Sequence, residues 1–275
     1  MISQYGESRG NALFRQEYYC SWIEAFEGAV VYPEFNQKTH VSTVPLLPFL
    51  VSEIKTGTKV IRGWDNTGLS PACIITFVNS TGQWCWVKEF IGEDVGITDF
   101  AQMVDFWCRE TLPGNVKFRD IGDPAGKTRD STKQSPKDYI FKATGIRIED
   151  GIQTFKVRRE SVSFRLTKLI NGKPGLVVDP SCKTAITGFM GGYCYPEIAN
   201  TGYFRPEPSK NKLSHIHDAG QYIATKLFKA GVSKSAQNMN GEEDITDKST
   251  AYGFTNISSR YKPEEAGYKE YYTTA

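Results

Sequence analysis

KVIRGWD at Lys59–Asp65, PACIITFVN at Pro71–Asn79 and QWCWVKEFI at Gln83–Ile91 are the stretches whose reading decides the fold. Each is short and apolar or rich in β-branched and aromatic residues, and Ser80-Thr81-Gly82 joins the last two as a tight turn. Three such strands in succession make an antiparallel meander. A helix is expected at Ile97–Thr111, with Phe100, Val104, Trp107 and Cys108 on one face, Thr98 or Asp99 as its cap, and Pro113-Gly114 closing it. VKFRDI at Val116–Ile121 then reads as a fourth strand, which a helical crossover should set parallel to the first. The expected class is α/β, with a mixed sheet flanked by helices.

Working outward, Ser135-Pro136 opens a short helix that Gly145 stops. Gln153–Val157 reads as a strand, Ser161–Leu169 as a helix, Leu176–Val178 and Gly188–Pro196 as short extended pieces, and Ser214–Phe228 as an amphipathic helix. On the N-terminal side, Phe14, Tyr18, Trp22 and Phe26 mark a helix within Asn11–Tyr32, and Pro33 to Pro48 reads as a connector. The chain thus divides into an N-terminal helix and linker (1–50), an α/β domain (51–230) and a C-terminal tail (231–275). The tail carries Tyr252, Tyr261, Tyr268, Tyr271 and Tyr272 among Ser, Asn, Gly and acidic residues, and reads as a flexible arm.

The chain has 275 residues, 39% hydrophobic and 23% charged, which suits a globular protein with a substantial core. Its longest apolar runs, Pro45–Val51 and Ala72–Val78, fall far short of a membrane span, and Met1–Gly10 lacks the apolar region of a signal peptide. An intracellular protein is expected. Six widely spaced cysteines without a CxxC pair offer neither a zinc knuckle nor a thioredoxin-type motif, and read as reduced, buried thiols. The net charge is only +2, yet Lys117–Lys183 holds 15 basic against 8 acidic residues, the kind of local surplus that phosphate neutralisation needs.

Three acidic motifs fall where an α/β sheet presents functional groups, outside the carboxyl ends of its strands. They are Gly63-Trp64-Asp65-Asn66-Thr67-Gly68, Asp120-Ile121-Gly122-Asp123-Pro124-Ala125-Gly126 and His215-Ile216-His217-Asp218-Ala219. With the first and fourth strands side by side, Asp65 and Asp123 can converge, and a C-terminal helix laid against them brings Asp218 within reach. Three carboxylates share a small volume only if a cation neutralises them, and an all-oxygen donor set selects Mg²⁺ or Mn²⁺. A two-metal site of that kind clamps the attacking and leaving oxygens of a phosphodiester cleavage. Asp120 stands as the alternative to Asp123, and His217 reads as a packing residue. Gly122–Thr128 imitates a phosphate loop, but one residue is missing between its glycines and no long helix follows.

The ordered set Gly63-Trp64-Asp65-x-x-Gly68, Gly122-Asp123-Pro124-Ala125-Gly126 and His215-x-His217-Asp218-Ala219-x-x-Tyr222 resembles the C-terminal nuclease domain of the terminase large subunit of tailed bacteriophages. The resemblance runs from Gln16 to Phe228 and includes Gln16-Glu17-Tyr18-Tyr19-Cys20, which in that family lies at the junction with an ATPase domain, and Gly191–Tyr193. It implies an RNase H-like fold and metal-dependent cutting of double-stranded DNA during genome packaging in the host cytoplasm. Two Mg²⁺ or Mn²⁺ ions would be held by Asp65, Asp123 and Asp218, with His215 orienting water, metal or the leaving oxygen. Lys127, Arg129, Lys133, Arg158 and Arg159 are the expected DNA-binding residues. The implied partners are the portal protein, the small terminase subunit and an ATPase motor, whose phosphate loop is not found before Asp65. A resolvase- or integrase-type nuclease and a non-catalytic DNA-binding or docking module are the alternatives.

Overall fold

The computed structural model describes residues 30–228, apart from 67, 128–132, 199–200 and 202. The helix expected from Asn11, all but its last three residues, and the tyrosine-rich tail lie outside the described residues, as do Cys20 and Arg129.

The sheet is built from β1 (Val60–Asp65), β2 (Ala72–Val78), β3 (Trp84–Ile91), β4 (Phe118–Gly122), β5 (Ile148–Asp150) and β8 (Leu176–Val178), while β6 (Leu169–Ile170) and β7 (Lys173–Pro174) form a separate small hairpin. The strand order is β5-β4-β1-β2-β3-β8. The β2 strand pairs antiparallel with both neighbours, and the β1–β4, β4–β5 and β3–β8 pairs are parallel. Order 3-2-1-4-5 with only the second strand reversed is the RNase H-like arrangement, here extended by β8 beyond β3. The expected meander and the parallel fourth strand are both present.

Side-chain alternation along the strands feeds two cores. On one face Val60, Trp64, Cys73, Ile75 and Phe77 pack under α2 (Leu47–Ile54), α3 (Ile97–Thr111) and α4 (Pro136–Thr144). On the other, Ile61, Ile74, Trp84, Trp86 and Ile121 pack under α5 (Phe155–Thr167), α6 (Lys183–Thr187) and α7 (Lys212–Leu227). A one-turn helix, α1 (Gln37–His40), precedes α2.

One charged group lies inside the first core. Arg62 is 0% exposed; its Nε and Nη2 donate to the two oxygens of Asp120 at 2.7 and 2.8 Å, and its Nη1 reaches Asp105 of α3 at 3.3 Å. The guanidinium also lies 4.4 Å from the Phe118 ring. Arg62 and Asp120 are direct partners in the parallel register, so the fork ties β1 to β4 at one residue pair. Burial raises the Asp120 carboxyl above its usual range, against the pull of Arg62.

Several expected elements differ in detail. Gln153–Val157 is no strand: a helix runs unbroken from Phe155 to Thr167 and includes most of the predicted helix at Ser161–Leu169. Val162 and Leu166, four apart, are buried on one face of this helix. The three-residue β5 was missed as too short to show a period. Gly188–Gly192 is a wide helical turn ending at a left-handed Gly191 (φ 122°) rather than an extended piece. The expected connector from Pro33 to Pro48 contains α1 and the start of α2, with Pro48 in the first helical turn, where its missing N–H costs nothing. Gly96, not Thr98 or Asp99, caps α3. The four described buried cysteines, Cys73, Cys85, Cys108 and Cys182, are free thiols, and Cys194 is free and half-buried.

The Arg62→Met variant leaves Asp120 buried without a counter-charge, and we expect it to lose about 3–5 kcal/mol of unfolding free energy. The double variant Arg62→Met/Asp120→Leu should recover most of that loss. Urea denaturation followed by circular dichroism measures both; a single variant as stable as the parent would refute the role given to this pair. A second expectation concerns the seat of α7. A Cβ on Gly63 would meet the Ala219 carbonyl oxygen and come within 2.7 Å of Ile223 Cδ1, whereas one on Gly114 meets nothing within 4 Å. Gly63→Ala should therefore cost about 1–3 kcal/mol by overpacking, and Gly114→Ala about 0.5 kcal/mol or less.

Candidate active site

The carboxyl ends of β1, β4 and β5 form one edge of the sheet. Because Trp64 pairs with Gly122, Asp65 and Asp123 come next in line on adjacent strands. The Asp123 N–H donates to the Trp64 carbonyl at 3.2 Å, and the Gly151 N–H donates to the Gly122 carbonyl at 2.8 Å, which draws the three strand ends together. A Cβ on Gly122 would lie 2.9 Å from the Trp64 carbonyl oxygen, so this approach has no room for a side chain. Helix α7 lies against β1 where Gly63 leaves space, and its N-terminal half reaches the same edge. Asn211 caps that helix, its side-chain oxygen accepting from the N–H groups of Leu213 and Ser214 at 2.9 and 3.0 Å.

On these elements stand the predicted residues. Asp65 and Asp218 are both 2% exposed, and Asp123 is half-buried. His215 Nδ1 meets Asp65 Oδ2 at 2.8 Å. A carboxylate can only accept, so Nδ1 is the donor of this bond. Asp218 Oδ1 accepts from Arg158 Nη1 at 2.7 Å, and Oδ2 is paired with Lys210 Nζ. Asp123 Oδ1 accepts from the Ala125 N–H at 2.8 Å, an Asx turn that opens the short 3₁₀ turn Pro124–Lys127.

The three carboxylates have a common neighbour in Tyr222, one turn beyond Asp218. Burial raises its phenol first, Arg158 opposes that, and Asp123, Asp218 and Asp65 each raise it further. Arg158 lies 4.9 Å from the Tyr222 ring; burial works against its charge, but Asp218 outweighs burial and raises it. Among the described residues, no three His, Cys, Asp or Glu side chains stand close enough to hold a metal ion as they are. The donor set is nonetheless the all-oxygen kind that suits Mg²⁺ or Mn²⁺, and the cation places on Asp218 are taken by a guanidinium and an ammonium. Of these, Lys210 is exposed (64% of its side chain) and Arg158 is buried.

Asp120, the alternative to Asp123, points to the opposite face, where Arg62 holds it. His217 is a buried packing residue: its ring stacks on Tyr193 at 5.1 Å, and burial lowers it to about 3, so it stays neutral. Two expected DNA-binding residues are committed elsewhere. Arg158 is buried on Asp218, and Arg159 donates to the Val31 carbonyl at 3.1 Å and to Glu34 at 3.0 Å. Lys127 and Lys133 are exposed, Lys133 in the left-handed region (φ 62°), and Arg129 lies outside the described residues.

Sequence reasoning missed Asp150, at the end of β5, which is paired with both Lys127 and Lys137. Burial raises its carboxyl, and the two ammonium groups more than reverse this, holding it below the usual range. An Ile-Glu-Asp-Gly step before a break resembles Ile121-Gly122-Asp123 and could have signalled another strand end.

No protein-family model matches the chain, and no curated protein sequence does. Among solved structures, the chain is similar to the crystal structure of the large terminase nuclease from thermophilic phage G20c with bound magnesium. The identity is 13% and the TM-score 0.40, over 62% of this chain and 82% of that one.

Proposed function

We propose that this chain is a divalent-metal-dependent endonuclease of the terminase kind, cutting double-stranded DNA during phage genome packaging. The observation that carries it is the position of Asp65, Asp123 and Asp218. Two adjacent parallel strand ends and the helix packed on them, in an RNase H-like sheet, supply the three carboxylates. Two Mg²⁺ or Mn²⁺ ions held by these residues would activate a water and stabilise the leaving 3′ oxygen.

The chain's own residues prepare that chemistry. His215 orients the Asp65 carboxylate through Nδ1. Arg158, buried and forked between Asp218 and the Tyr222 ring, fixes the Asp218 carboxylate. Lys210, on an exposed stem, is the cation that can swing away and meet a phosphate instead. Lys133, exposed, is the backbone contact, and Lys127 is held by Asp150. On this reading sequence preference is low, and cut sites are set by the portal protein, the small terminase subunit and an ATPase motor in the host cytoplasm.

A second reading, a DNA-binding or docking module with an idle site, is favoured by one observation: both oxygens of Asp218 already have cations. Plasmid cleavage in Mn²⁺, Mg²⁺ or EDTA separates the two. We expect metal-dependent nicking and linearisation that Asp65→Ala, Asp123→Ala and Asp218→Ala abolish without unfolding, and a decrease of about 10–100-fold for His215→Ala. No cleavage with either metal by a folded parent that binds DNA selects the docking module. Preference for four-way junctions over linear duplex selects the resolvase alternative.

A further inference from the structure

Beyond the three carboxylates, the same sheet edge carries a second charged group that the cleavage chemistry does not use. Lys137, in the first turn of α4, is only 10% exposed along its side chain and is paired with one oxygen of Asp150; Lys127, 67% exposed, is paired with the other. Two ammonium groups share one carboxylate, which leaves one positive charge in excess. An ammonium has three hydrogens to donate, and Asp150 is the single hydrogen-bond acceptor of Lys137 among the described residues.

Next to Lys137 lies an amide with unmet needs. Asn66 follows Asp65 directly, and both its Oδ1 and Nδ2 are buried without a hydrogen-bond partner among the described residues. Leaving such a group unpaired costs about 1–3 kcal/mol, so native structures seldom leave one without a ligand or water. Gly126 brings the two together: a Cβ there would strike the Asn66 amide nitrogen and lie 3.3 Å from Lys137 Cε. Asn66 and Lys137 therefore both border Gly126, with Asp65 preceding Asn66 in the chain and Asp150 paired with Lys137.

We infer that Lys137 and Asn66 form a subsite for a backbone phosphate of DNA, next to the candidate cleavage site, with Asp150 holding Lys137 in place until the phosphate arrives. A phosphodiester brings one negative charge, which matches the excess. Its two free oxygens accept from the Lys137 ammonium and from the Asn66 amide, while Asp150 keeps Lys127. Gly126 is small because a side chain there would separate the two donors. The subsite's place beside a scissile bond rests on the nuclease reading, but its occupancy can be read without cleavage.

The test is fluorescence anisotropy of a labelled 30-bp duplex with the full chain in EDTA, titrated at several salt concentrations. Lys137→Met should weaken binding about 5–10-fold and lower the slope of log K against log salt by about 1, the value of one phosphate contact. Lys137→Arg should retain most of the slope, Asn66→Ala should weaken binding with the slope unchanged, and Asp150→Asn should tighten binding by freeing two cations. Lys55→Met, at an exposed lysine past α2, controls for overall charge. Circular dichroism melts exclude unfolded variants. The inference is overturned if Lys137→Met behaves as Lys55→Met does, or if folded Asp150→Asn binds more weakly than the parent. If Lys137→Met leaves binding unchanged while Asp65→Ala abolishes cleavage, only the subsite falls. If binding follows Lys137 but neither Mg²⁺ nor Mn²⁺ supports cleavage, the nuclease reading falls, and the phosphate subsite stands apart from it.

Discussion

Arg62 and Asp120 meet inside the core, each without solvent, and the parallel pairing of β1 with β4 is settled at that point. A parallel pair has no hairpin to set its register, and a slip of one residue would send every side chain to the other face. Two parallel hydrogen bonds from a fixed planar fork to a buried carboxylate tolerate no such slip, because a displaced register leaves two charges unpaired in the apolar core. The residues three positions further along each strand inherit that register. Asp65 and Asp123 stand together at the sheet edge because Arg62 and Asp120 stand together beneath it. Asp105 of α3 extends the pair, and Arg109 one turn on meets Asp105 at 2.5 Å, so the helix over that face is tied to the same register.

The other face solves a different problem, that of bringing a helix close to a strand. Gly63 removes the side chain that would separate α7 from β1, and Gly220 does the same against the Trp86 ring, where a Cβ would fall within 3.3 Å of Cε2. Close packing of Ile216, Ala219 and Ile223 then sets the rotation of α7, and that rotation carries His215 and Asp218 to the edge. The site is thus a consequence of two packing constraints, one electrostatic and one steric, on opposite faces of β1.

How much of this was legible in the sequence depends on the range over which each feature is encoded. The meander, α3 and the start of α4 at Ser135 are local, and periodicity or cap chemistry revealed all three. Asp65, Asp123 and Asp218 stood out in the sequence because the first two follow strands with a recognisable end and the third lies in the amphipathic C-terminal helix. Asp150 did not, since β5 is three residues long and is a strand only by virtue of pairing with β4. The same holds for Arg158: its place in a basic run suggested a solvated face, and only the packing of α5 on α7 shows that it is buried on Asp218. Whether a charge is free or paired is a property of the tertiary structure and has no sequence period.

The pairing pattern also says how a metal could enter. Asp65, Asp123, Asp150 and Asp218 are four carboxylates, and Arg158, Lys210, Lys127 and Lys137 are four cations around them. Asp150 and Asp218 are thus already neutralised by cations of the chain itself. On the proposed nuclease reading, binding a dication would be an exchange, in which a cation of the chain leaves a carboxylate. Arg158 is poorly placed to leave, since moving it would strand a buried charge and give up its stacking on Tyr222. Lys210 leaves more easily, because its ammonium regains water and a surface ion pair is worth little. The lysine released in such an exchange would stand beside the site with an unpaired positive charge, where the proposed reading needs it for the phosphate of an incoming strand.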